Sequence, residues 1–250
     1  MIDPFHLEAY GETTVNYNRD VEIFPVLNTI FEKIYGESPY KSPTDMGVNM
    51  AGNCICDDEA CREASKQEII RRYFDALNAL AKGSTSEKEA QKIELLMNMA
   101  GITVTDRKVV IKALERAKET DGPAAALELR DGRIITGKTT NLLGASAALL
   151  LNVLKVLAGI DHETHIISPE SIEPIQKLKV DYLKSKNPRL HTDEVLIALS
   201  ASAATNPQAR LALSQLPELA GCQAHTSVML SDVDIKIFKK LEAVSYTHLT

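Results

Sequence analysis

The stretch DGRIITGKTTNLLGASAALLLNVLKVLAG, Asp131 to Gly159, joins a turn, a short strand, a glycine-lysine loop and the most apolar segment of the chain. Asp131-Gly132 is flanked by the runs Ala125 to Arg130 and Arg133 to Thr136, a strong signal for a two-residue β-hairpin. Gly132, Gly137, Lys138 and Thr139 also satisfy G-x-x-x-x-G-K-[ST], the spacing of a nucleotide-binding phosphate loop. A working phosphate loop leaves a buried strand at its first glycine and fills the variable positions with small residues, so that successive N–H groups wrap a phosphate. Here those positions hold Arg133, Ile134, Ile135 and Thr136, which favour a strand, and the match is read as accidental.

Beyond the loop, Leu142, Leu143, Leu149, Leu150, Val153, Leu154 and Leu157 recur as the centre of a predicted core helix. Lys138, Thr139, Thr140 and Asn141 fall at its expected start, where free N–H groups and the helix dipole favour an anion. Ordinary capping by Thr139 or Thr140 beside a solvated Lys138 is the competing reading.

Residues 1–122 read as helices and loops. Ile23, Leu27, Ile30, Phe31 and Ile34 mark one apolar face of a helix from Asp20 to Gly36, with Pro25 shortening its first turns. Ser38 to Asn53 is rich in Pro, Gly, Asn and Ser, a loop long enough to suggest function. Asp57 caps a helix running to Gly83, Ser86 with Glu89 opens another ending at Gly101, and Thr105 or Asp106 opens a third ending at Asp121-Gly122. Residues 123–243 change character, with strands expected at Thr164–Ile167 and Cys222–Leu230. Helices are expected from Ser168-Pro169, Thr192, Asn206-Pro207 and Ser231. The predicted class is α/β or α+β, a helical N-terminal region on a small mixed sheet with a central buried helix. Residues 244–250, VSYTHLT included, resemble a translated sequencing adaptor and are expected to be an unpacked, non-native tail.

With 250 residues, 44% of them hydrophobic and 25% charged, the chain can bury a large core. Its 34 acidic and 28 basic residues give a net charge of -6, with no basic stripe, which argues against nucleic acid. No apolar run reaches the roughly 18 residues of a membrane span. The opening MIDPFHLEAYGE lacks the features of a signal peptide, and four cysteines fit free thiols, so a cytoplasmic setting is expected.

Three clusters invite chemistry. Cys54-Ile55-Cys56 with Cys61 has the wrong spacing and number for zinc, so no metal is predicted; Cys54, near a helix start, is a candidate reactive thiol. His162 and His165 miss the H-E-x-x-H spacing by one residue and would point apart in a strand. Asn187, Arg189, His191, Thr192 and Asp193 open a helix after a proline loop. They are able to hold a carboxylate or phosphate beside a titratable imidazole, which makes His191 and Asp193 catalytic candidates.

Four strings carry a resemblance: MIDPFHLEAYGETTVNYNRDVE from Met1, SPTDMGVNMAGNCICDDEACREA from Ser42, TGKTTNLLGASAALLLNVLK from Thr136, and SPESIEPIQKLKVDYLKSKNPRLHTDEVLIALSASAATNP from Ser168. They resemble the bacterial domain of unknown function family 1846, also called uncharacterised protein family 0371, from Met1 to about Leu241. The resemblance implies a protein about twice this length, whose other half carries its own glycine-rich nucleotide loop, with Met1 an internal methionine. Some family members carry ATP-dependent peptidase labels. On this view the chain is one half of a nucleotide- or phosphometabolite-dependent enzyme, with Mg2+ and nucleotide as cofactors of the whole. Its partners would be a phosphorylated small molecule, the missing domain and a second copy of itself. Asp45 to Asn53, the Lys138, Thr139 and Asn141 segment, and the Arg189 to Asp193 loop are expected to converge on one cleft. The rival expectation is a non-catalytic assembly module.

Overall fold

The computed structural model describes residues 17–40 and 58–247, and the chain divides into two compact units, Met1–Asp106 and Arg107–Thr250. The division falls one helix before the expected boundary at 122.

The first unit is helical. Helix α1 (Tyr17–Tyr35) carries Pro25 inside it, and the Phe31 ring stacks on Tyr35 at 6.0 Å and meets Tyr40 edge-on at 5.7 Å. Its expected apolar face is only partly covered: Ile23, Leu27 and Phe31 are half-buried and Ile30 and Ile34 are exposed, whereas the buried residue is Phe24, outside that stripe. Helix α2 (Asp58–Ala81) and helix α3 (Glu87–Ala100) pack together; Ile69, Ile70 and Phe74 of the first and Leu96 and Met97 of the second are buried. The predicted stop at Gly101 is present, with the residue left-handed and Ile102 N–H reaching back to the Met97 carbonyl.

The second unit is a three-layer α/β/α body. Helix α4 (Lys108–Thr120) precedes strands β1 (Ala124–Glu128) and β2 (Ile134–Lys138), which form the predicted hairpin with Ala125 opposite Gly137, although its loop is the three residues 130–132 and not two, Leu129 N–H donating to the Arg133 carbonyl. Helix α5 (Ala145–Leu157) follows, then α6 (Pro169–Lys177) with a wide turn through Leu178–Tyr182, α7 (Thr192–Ser202) and α8 (Pro207–Leu213). Strand β3 (Gln223–Thr226), helix α9 (Asp232–Lys240) and strand β4 (Val244–Thr247) complete it. The sheet order is β2-β1-β3-β4, antiparallel except for the β3/β4 pair.

Strand alternation assigns the two faces. Ala126 meets Val109 and Ala113 of α4, while Ala125 and Leu127 enter the main core with Leu149, Leu150, Val153 and Leu154 of α5. All four of these α5 side chains are fully buried, and Leu142, Leu143 and Leu157 pack half-buried around them. Gly137 explains how close α5 comes to the sheet: a Cβ there would lie 2.2 Å from the Leu149 backbone nitrogen. Asn152 adds a polar tie, its Nδ2 donating to the Thr136 carbonyl at 2.9 Å.

Two expectations fail. Thr164–Ile167 forms no strand; Ile166 and Ile167 are both buried in a loop, whereas neighbouring strand residues would face opposite sides. The predicted unpacked tail is instead strand β4 over Val244–Thr247. Its ladder on β3 runs from Gln223↔Val244 to Thr226↔Thr247, and the buried Thr247 hydroxyl accepts from Leu230 N–H at 3.2 Å. The exposed edge of β3 and the β-branched Val244 and Thr247 favour that pairing. His248 lies outside the described residues.

Candidate functional site

The loop before α5 is built by side chains replacing missing backbone partners. Thr139 N–H stays in the hairpin, donating to the Pro123 carbonyl, and Thr140 Oγ1 accepts from Leu142 and Leu143 N–H at 3.2 and 2.9 Å. Leu190 then pairs with this loop: Leu190 N–H donates to the Leu142 carbonyl and Gly144 N–H to the Leu190 carbonyl. The helix therefore begins at Ala145, behind Gly144, and not at the predicted Lys138 to Asn141. This short bridge holds the Arg189–His191 segment against the start of α5.

The same segment is clamped from behind. Lys179 is buried, and its Nζ donates to the Arg189 carbonyl at 2.8 Å and to Glu194 Oε2 at 2.7 Å. Glu194 Oε2 also accepts from His191 N–H at 2.8 Å, the back half of a capping box on α7. Arg189 Nε donates to the Thr140 carbonyl at 2.8 Å. Its terminal guanidinium nitrogens make no hydrogen bond among the described residues.

Asp234, in the first turn of α9, ties α7 to α9. Its Oδ1 accepts from Thr192 N–H at 3.0 Å and Thr192 Oγ1 at 2.8 Å; its Oδ2 accepts from Ser231 Oγ at 2.7 Å and lies 3.3 Å from His191 Nδ1. A carboxylate only accepts, so Nδ1 carries the proton and Nε2 is left as the basic ring nitrogen. The hydrogen bond to Asp234 raises the His191 pKa above its ordinary value, outweighing burial and the nearby Lys179 charge. Burial pushes the Asp234 carboxyl upward, but the bonds from His191, Ser231 and Thr192 prevail and hold it below the usual carboxylate range.

These pieces surround a cleft of about 220 Å3, lined on its polar side by Thr139, Ser146, Arg189, His191, Ser231 and Asp234 and on its apolar side by Val228, Met229 and Leu230. Two of the three expected loops thus meet; Asp45 to Asn53 and Cys54 lie outside the described residues. Thr139, Arg189 and His191 line the cleft. Lys138 is the exposed last residue of β2, Asn141 is exposed with its carbonyl accepting from Gln176, and neither lines it. Asp193 does not line it either, its carboxylate accepting from Glu194 N–H. Among the described residues no three His, Cys, Asp or Glu side chains gather as a metal site, and no helix is long and apolar enough to cross a membrane. Asp234 and Ser146 escaped the sequence reading: Asp234 lies 43 residues beyond His191, and Ser146 reads as one small residue in an apolar helix.

Comparison with known proteins fits this division of the chain. The model described as "Domain of unknown function DUF1846, N-terminal" matches residues 1–101, and "Domain of unknown function DUF1846, C-terminal" matches residues 105–248. The junction lies beside the structural boundary at Asp106. Residues 1–101 therefore carry sequence of the family's N-terminal model, and the expectation of a chain drawn from the second half alone is not supported. A UPF0371 protein of Corynebacterium urealyticum is 59% identical over 241 residues, 96% of this chain and 48% of the relative. One of Corynebacterium aurimucosum is 61% identical over 96% of this chain and 48% of the relative, and one of Streptococcus thermophilus 56% identical over 96% and 49%. The chain spans about half the length of the curated relatives it matches. With both models matched in order, and together covering nearly all of it, the chain belongs to the DUF1846 (UPF0371) family.

Proposed function

We propose that the cleft is the substrate end of a cytoplasmic, nucleotide- or phosphometabolite-dependent enzyme, in which His191 moves a proton to or from a bound phosphorylated small molecule. The observation that carries this reading is the His191–Asp234 pair on the cleft wall. A carboxylate on Nδ1 fixes the ring, stabilises the imidazolium and leaves Nε2 for substrate, the arrangement that general acid–base catalysis requires. Arg189 supplies free guanidinium donors beside it, suited to a phosphate. Any nucleotide and Mg2+ would be held by the remainder of a family-length protein, the partner this half would work with.

A thermal-shift screen of the 250-residue chain against nucleotides and sugar phosphates, with and without Mg2+, tests the reading. A ligand at a hundred times its Kd is expected to add about 2.7 kcal/mol, roughly 5–10 °C for a chain of this size. Arg189→Ala should remove the shift, and Lys138→Ala should leave it unchanged. A screen in which no phosphorylated compound moves the transition overturns the proposal.

The α1 surface favours a second reading, an assembly module. Val26, Ile30, Ile34 and Tyr35 recur along the helix with exposed side chains. Light scattering on size-exclusion peaks should then give a dimer mass that Ile30→Asp with Ile34→Asp reduces to the monomer; a monomeric parent chain removes this reading.

A further inference from the structure

We infer that the first turn of α5 seats the phosphoryl group itself: the N–H groups of Ala145, Ser146 and Ala147, with the Ser146 hydroxyl, receive the terminal phosphate of a small phosphate monoester. The inference rests on the reading of the cleft given above and names its ligand class and its binding residues.

Helix α5 is 13 residues long, and its cap residue Gly144 is extended at φ -68°, ψ 160° with no side chain to cap with. The first-turn N–H groups have no intrahelical acceptor, and no side chain among the described residues caps them. At an exposed helix end, water would serve. Here the end is enclosed: Ala145 and Ser146 are each 7% exposed and Ala147 is fully buried. N–H groups that meet solvent only through the cleft are left to a few confined waters, and an anion in the cleft replaces these with charge-assisted hydrogen bonds.

The second observation is independent of the helix. Ser146 is more than nine-tenths buried, lines the cleft, and its hydroxyl has no hydrogen-bond partner among the described residues. A helical serine in a core ordinarily turns its hydroxyl back to a carbonyl one turn earlier, as Ser202 does to Ala198 at 2.8 Å. Ser146 sits too close to the helix start for a regular helical acceptor, so its hydroxyl is available to the same ligand as the N–H groups.

Charge and size select the ligand. The helix dipole, the free guanidinium nitrogens of Arg189 and the His191 ring in its protonated form all favour a dianion. The acidic group in the cleft, Asp234, has both oxygens occupied by Thr192, Ser231 and His191. A volume of about 220 Å3 is below the roughly 300–1,000 Å3 of sites that enclose drug-sized ligands, so it holds a phosphoryl group with a few carbons rather than a whole nucleotide. Val228, Met229 and Leu230 provide the apolar wall for those carbons.

The test is an NMR titration of the 15N-labelled 250-residue chain with inorganic phosphate, glycerol 3-phosphate and acetate, followed on backbone amides. Phosphate and glycerol 3-phosphate should shift Ala145, Ser146 and Ala147 saturably. The monoester should bind more tightly than phosphate, and acetate more weakly than either. Ser146→Ala should weaken the monoester about tenfold, the range of one charge-assisted hydrogen bond. Ser146→Asp, which installs a carboxylate at the same turn, should abolish binding while the amide spectrum stays dispersed. Absence of shifts at these three amides, or full binding by both Ser146 variants, overturns the assignment. A monoester whose shifts centre elsewhere overturns the seat and leaves the acid–base reading standing. Saturable shifts at the three amides with no change in His191 titration overturn the acid–base reading and leave the seat.

Discussion

Gly137→Ala is expected to destabilise the second unit by at least about 3 kcal/mol, the upper end of the cost of overpacking a core. The added Cβ would lie 2.2 Å from Leu149 N and 2.5 Å from Leu149 Cα. Both atoms belong to the backbone of the central helix, so no side chain can rotate away, and α5 must lift off β2. That movement would uncover Leu149, Leu150, Val153 and Leu154 together. Urea unfolding followed by circular dichroism reads the effect, and an unchanged midpoint would sink the packing argument. Gly132→Ala is the control. Its φ of 81° strains an L-residue, but nothing lies within 4 Å of the new Cβ, so its cost should stay near the 1–2 kcal/mol of left-handed backbone alone.

Asp234→Ala is the second large effect, about 3 kcal/mol, because it strips acceptors from the buried Thr192 N–H and hydroxyl, and from Ser231 and His191. Asp234→Asn keeps the shape but loses the charge, and NMR titration should then show the His191 pKa falling towards about 6.5. The pH dependence follows in sign. Asp234 is depressed in the fold, so its contribution is complete above the unfolded value of about 3.9 and is lost as pH falls through the folded value. His191 is raised, so its contribution is complete below about 6.5 and is lost as pH rises through its folded value. The pair therefore stabilises most between about pH 4 and 6.5, and the Asp234→Ala deficit should be largest in that window. A deficit that is flat from pH 4 to 9 would mean the two groups do not interact in solution.

How far the sequence was legible depends on the range of the interaction concerned. The Asp131-Gly132 hairpin, the Gly101 stop, and the Asn206 and Ser231 caps are local, and each is present. Rejection of the phosphate-loop match also followed from local chemistry, since Ile134, Ile135 and Thr136 belong in a strand. Local spacing places the start of α5 too early because Leu142 and Gly144 pair with Leu190, nearly fifty residues away, while the Thr140 hydroxyl holds the Leu142 and Leu143 N–H groups in a turn. Strand β4 has no local signal because a four-residue edge strand exists only where β3 offers it a ladder. In the cleft, Arg189 and His191 could be singled out as polar residues opening a helix. Asp193 was the obvious carboxylate beside them in sequence, yet the structure brings Asp234 to the ring instead.

The sequence by itself determined the existence of most helices and of the hairpin, the apolar identity of α5 and the family, because periodicity, turn chemistry and long shared strings are written in neighbouring residues. Only the tertiary structure decided the cleft. Its parts come from a hairpin, a helix start, a proline loop and a second helix cap, brought together by burial and long-range hydrogen bonds that leave no mark in local spacing.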